Sequence, residues 1–145
     1  MNTGQMLLVM LAIVLFSTII IATYNNLFTI LYMAYEAMYQ MQAYKIVDRI
    51  FQEIDAMNVS NFKTLEEIKN EYIIVDSVLT INNVDYIIKT TPNWCDQYGG
   101  DLPLTDTLYN YQRIDIIIYC EVGNDTLWTG TNTHPIRYIY GDLGS

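Results

Sequence analysis

Few residues of this chain could form a reacting centre. His134 is the single histidine among 145 residues and precedes Pro135 in a predicted loop. No Gly-x-Ser-x-Gly elbow and no metal-binding helix motif accompanies it, so neither a nucleophile triad nor a metal centre is spelled out. The chain is therefore not expected to be an enzyme, and no cofactor is expected. Cys95 and Cys120 read either as a pair or as two buried free thiols; their spacing does not make a zinc site. Asp96, Asp101 and Asp106 recur around Gly99-Gly100. Carboxylate oxygens are hard calcium ligands, but this spacing matches no EF-hand, so a solvated acidic loop is expected and no metal. Asn58-Val59-Ser60 and Asn124-Asp125-Thr126 are N-glycosylation sequons, a triplet that also arises by chance. Seven basic against 16 acidic residues leave a net charge of −9. That charge argues against nucleic acid as a partner, because phosphate binding needs basic surface.

The elements that would position these residues are organised around residues 5–57, which contain neither proline nor glycine. As one helix this stretch would be about 80 Å long at ~1.5 Å per residue, more than a domain made from the rest of the chain could cover. From Met6 to Tyr24 the only polar groups before Tyr24 are Ser17, Thr18 and Thr23, and the length suits a membrane span. Such hydroxyls can bond back to the preceding turn, so they cost little in lipid. No Lys or Arg precedes the run in this sequence, so the usual orientation cue is missing. Asn25 and Asn26 interrupt the apolar pattern, and from Leu27 to Tyr35 apolar residues return on every face. A helix apolar all round is buried all round. Beyond Glu36 the helix turns amphipathic: Ala43, Ile46, Val47, Ile50, Phe51, Ile54 and Met57 follow helical spacing. Eight of the 17 Tyr and Phe residues lie on this helix and read as packing mass.

The C-terminal part reads as a small sheet. Thr64-Leu65-Glu66-Glu67 is a capping box, predicting a short helix over 65–71. Strands are predicted over 72–80 and 84–91, around the turn Ile81-Asn82-Asn83. A short strand is predicted over 107–111, and further strands over 113–121, 126–129 and 135–140, the last at an edge because of Pro135. Along 113–121, Ile114, Ile116, Ile118 and Cys120 face one way. The fold class is α+β, a long N-terminal helix packed on a small antiparallel sheet, with domains 1–57 and 58–145.

This layout resembles the type IV pilin and pseudopilin superfamily, across the whole chain in architecture and over about the first 20 residues in motif. Met1-Asn2-Thr3-Gly4-Gln5-Met6-Leu7-Leu8-Val9-Met10 can be laid on the pilin start in two registers. In one, a prepilin-type peptidase cuts between Gly4 and Gln5, which puts Val9 at the family's glutamate position. In the other, Met1 is the first residue, and Gln5 replaces that glutamate with a neutral amide. Both depart from the family pattern. The resemblance implies a structural subunit of an extracellular type IV pilus-like filament, held in the cytoplasmic membrane before assembly and polymerised with its own copies by a pilus-like assembly machinery. The filament core would be built by Met6, Leu7, Leu8, Met10, Leu11, Ile13, Leu15, Phe16, Ile19, Ile20, Leu27, Phe28, Leu31 and Tyr35. In a chain at the cell surface Cys95 and Cys120 most simply pair. That pair would look like the disulfide-bounded loop of many pilins, which usually lies nearer the C-terminus. Comparable stretches to 17–23 can lose helicity in assembled bacterial pilins, which makes this β-branched run the expected place for local melting. Other readings are a minor pseudopilin of a type II-like secretion system, an archaeal-type pilin and a single-pass membrane-anchored surface binding module.

Overall fold

The computed structural model describes residues 2–60, 62–102 and 110–141. The fold is α+β, a long N-terminal helix and a small antiparallel sheet. Helix α1 runs Thr3–Val59, a little beyond the predicted limits at both ends, and α2 runs Leu65–Glu71. The strands are β1 (Ile74–Ile81), β2 (Val84–Cys95), β3 (Tyr111–Val122), β4 (Asp125–Thr129) and β5 (Ile136–Gly141). The chain forms two compact units, Met1–Met38 and Tyr39–Ser145, so the division falls inside α1. The second half of that helix shares its core with the sheet, and the first half does not.

Within the second unit, local chemistry sets each element. Thr64 caps α2 reciprocally: its hydroxyl accepts from the Glu67 N–H, and the Glu67 carboxylate accepts from the Thr64 N–H at 2.8 Å. The β1–β2 hairpin turns on Asn82 and Asn83, whose φ values of 51° and 63° are the left-handed pair that a tight, right-twisted hairpin needs. Asparagine tolerates that region because its short amide can bond locally. Between β3 and β4 the turn is Gly123-Asn124, with the positive φ on the glycine.

The sheet order is β1-β2-β3, with β4 and β5 lying end to end along the other side of β3. β4 pairs with residues 118–122 and β5 with residues 111–116 of β3. Strand β3 is therefore the hub, and its even positions face the core: Gln112, Ile114, Ile116, Ile118 and Cys120 are all buried. Ala43, Ile46, Val47, Ile50 and Ile54 of α1 fill the same core, with Ile68, Tyr72, Tyr86, Ile88 and Tyr140. Phe51 stacks on Tyr138 at 4.5 Å between ring centroids. Each fully buried isoleucine contributes roughly 1.5–3 kcal/mol of transfer free energy, so this stripe holds the helix to the sheet.

Three strands are longer than predicted, β4 by one residue at its start and β2 and β3 by more. β2 continues through Pro92 to Cys95. It can do so because β1 begins opposite Thr90, at Ile74, leaving an open edge that tolerates a residue without an N–H. β3 begins at Tyr111; of the strand predicted over 107–111, Asn110 lies in no strand and residues 107–109 lie outside the described residues.

Candidate functional site

The candidate site is the apolar first half of α1. Its helix starts with the Asn2 carbonyl accepting from the Gln5 and Met6 N–H groups at 2.9 and 3.2 Å. Along residues 6–38 the large apolar side chains are exposed: Leu7 is 70% exposed, Phe16 66%, Phe28 65% and Tyr35 57%. The same holds for Met6, Leu8, Met10, Leu11, Ile13, Leu15, Ile19, Ile20, Leu27 and Leu31. The structure thus places every expected core residue on one uninterrupted helix. The helix meets the length and apolarity of a membrane crossing, and none of its most apolar window is buried.

The four serine and threonine hydroxyls in this stretch are satisfied within the helix. The hydroxyls of Ser17, Thr18 and Thr23 donate to the carbonyls of Ile13, Leu15 and Ile19, each at 2.8 Å. Thr29 donates to Asn25 at 2.9 Å. The β-branched run 17–23 is helical here, its hydroxyls absorbed by the preceding turn. Of the residues that define the two N-terminal registers, Gly4 and Gln5 lie in the first turns of α1, and a Cβ added at Gly4 would meet no atom within 4 Å. Met1 lies outside the described residues.

The expected Cys95–Cys120 disulfide is not formed; both cysteines are buried free thiols. The register explains why. Cys95 on β2 pairs with Tyr111 at the start of β3, whereas Cys120 lies near the other end of β3, opposite Tyr86. At ~3.3 Å per residue the two sit about 30 Å apart along the ladder. A disulfide needs Cα atoms within roughly 7 Å. Burial pushes both thiols up; at Cys95 the Arg113 guanidinium partly opposes the shift. Neutral buried thiols are poor nucleophiles.

The remaining candidate residues separate clearly. Asn58 sits in the last turn of α1, half-buried, its amide donating to the Gly141 carbonyl at 2.9 Å. Asn124 is exposed at a hairpin turn. Asp96 caps its own loop, accepting from the Tyr98 and Gly100 N–H groups at 2.9 and 2.7 Å. Asp101 pairs with Arg113 at 3.0 Å. Two of the three loop carboxylates are thus engaged by the protein, and Asp106 lies outside the described residues. Among the described residues no group of three or more His, Cys, Asp or Glu side chains could hold a metal. His134 is exposed in the connection before β5, as expected.

The structure also builds a polar cluster that sequence reasoning missed. Arg113 is nearly buried and gathers Asp101, Asp115 at 3.2 Å and the Gly99 carbonyl at 2.6 Å, while Arg137 meets Asp115 at 3.1 Å. These contacts pin the loop after β2 onto the sheet. Arg113 lies on the sheet face away from α1, where an alternating strand predicts exposure; the loop after β2 and Asp115 both contact it.

No family model, no curated protein and no solved structure matches this chain.

Proposed function

We propose that this chain is a structural subunit of an extracellular type IV pilus-like filament, whose N-terminal helices pack into a central bundle. The observation that carries the reading is the length of exposed apolar helix over residues 3–38. At ~1.5 Å per residue it measures about 54 Å. A hydrocarbon core is ~30 Å thick. A tilt of up to ~40° does not hide the excess. Lipid can therefore cover one part of this helix at a time, and the rest requires protein, for which other copies of the same helix are the natural partner. Assembly on this reading moves residues 6–41 from the cytoplasmic membrane into the bundle, exchanging lipid contacts for close helix packing. An assembly machinery of the pilus type is the implied partner, and the role is structural rather than catalytic.

Electron cryo-microscopy of surface material from expressing cells tests this. A thin filament with residues 6–41 bundled at its centre supports the reading, and its first ordered residue fixes the N-terminal register. Protein recovered only as a membrane-bound monomer overturns it in favour of an anchored binding module. Short caps of low abundance on a secretion machine point to a minor pseudopilin.

A further inference from the structure

The sheet face turned away from α1 carries two parallel rows of side chains, aligned by the strand register. One row is apolar: Val78 pairs with Ile87, Ile87 with Tyr119, and Tyr119 with Trp128, crossing β1 to β4. Three strand spacings of ~4.8 Å make this row about 14 Å long. Val78 is 58% and Trp128 48% exposed, and Tyr119 stacks on Trp128 at 4.6 Å between ring centroids. The second row lies two residues along each strand: Thr80 pairs with Asp85, and Glu121 with Thr126. Asp85 and Glu121 line one open groove of about 320 Å³ together with Val78 and Ile87. Among the described residues neither carboxylate has an ion-pair partner; Asp85 accepts only the Thr80 hydroxyl, at 2.5 Å. Lys89 lies on the far side of the apolar row, opposite Ile117.

From this juxtaposition we propose that the outer face of the sheet binds an extended basic segment of another protein, with lysine or arginine stems along the Val78–Ile87–Tyr119–Trp128 row and their charged heads on Asp85 and Glu121. Charge complementarity selects the occupant. Two neighbouring carboxylates repel until a cation lies between them. A metal ion would leave the apolar row unused, and an anionic partner is repelled. A second copy carries the same net charge of −9 over its whole chain and is repelled as well. Lysine and arginine alone combine a long aliphatic stem with a cationic head, and that head also gains from the exposed indole face. The inference does not rest on the filament reading.

The test uses the full chain in detergent and fluorescence anisotropy of labelled peptides. The probes are a peptide of alternating lysine and leucine and its counterpart of alternating glutamate and leucine. The lysine peptide should bind and the glutamate peptide should not. Binding should weaken about tenfold in Trp128→Ala, through loss of cation–π and stem contacts. It should weaken similarly in Glu121→Gln, which keeps the side-chain shape, and should decline as salt screens the charges. Equal binding of the two peptides, no binding of either, or lysine-peptide binding unchanged in Glu121→Gln overturns the proposal. So does a crosslink through Trp128 between copies of the chain alone, which would give the face to self-association.

Discussion

At the scale of single residues, the most informative side chain is Gln112. It is fully buried on β3, its Oε1 accepts the Tyr140 hydroxyl at 2.6 Å, and its Nε2 has no partner among the described residues. Removing one member of such a pair strands the other. Tyr140→Phe should therefore destabilise the second unit by roughly 1–3 kcal/mol, whereas Tyr140→Phe with Gln112→Leu should recover much of that loss. Denaturant unfolding of the two variants measures the coupling. The thiols make a second case. Cys95 and Cys120 should resist alkylation in the folded chain and both react once it is unfolded without reductant, as mass spectrometry would record. A single disulfide-linked species would contradict the register that separates them.

At the scale of elements, the contact between α1 and the sheet is tested by Ile54, which is fully buried. Ile54→Ala should cost about 2–5 kcal/mol, read as a lowered unfolding midpoint. The same interface predicts an alkaline limit. Tyr72, Tyr86 and Tyr138 are each pushed up to about 12, by burial first. Tyr72 and Tyr138 also donate to carboxylates, Glu53 and Asp55. In the unfolded chain these phenols ionise near 10, so the fold keeps a proton that the unfolded state releases. Their stabilisation is intact below pH 10 and is lost as pH rises toward 12. Tyrosinate absorbance and circular dichroism should change together across that window. Much of this element layer is legible in the sequence: helical spacing marks Ala43 to Ile54, alternation marks Ile114 to Cys120, and the Thr64 capping box gives α2. The cysteine pairing is not, because it depends on which residue of β2 faces which residue of β3. The burial of Arg113 is hidden for a similar reason, since a loop distant in sequence covers it.

At the scale of the whole molecule, the two units make separate demands. Tyr39–Ser145 has its own core, drawn from α1, α2 and all five strands. A chain beginning at Tyr39 should fold, stay monomeric and remain in solution without detergent. Size-exclusion chromatography and circular dichroism check this, and aggregation or loss of sheet signal would show that the core depends on the preceding residues. The candidate site itself, residues 3–38, is legible in the amino-acid sequence alone, because nothing but composition and length defines it. Its partner is not legible there, because an apolar surface exposed on every side names no geometry of contact.

The internal bonding of Ser17, Thr18, Thr23 and Thr29 has a mechanical consequence. These hydroxyls are already committed to their own helix, so along residues 6–23 neighbouring copies would meet through greasy, non-directional surfaces. Such surfaces resist separation but oppose axial sliding only weakly. In a polymer of these helices, the Tyr24 hydroxyl and the amides of Asn25 and Asn26 are the first groups able to act as a ratchet tooth between neighbours. Tension along the fibre would then be taken up as slip in the segment before them, making the strand extensible rather than brittle.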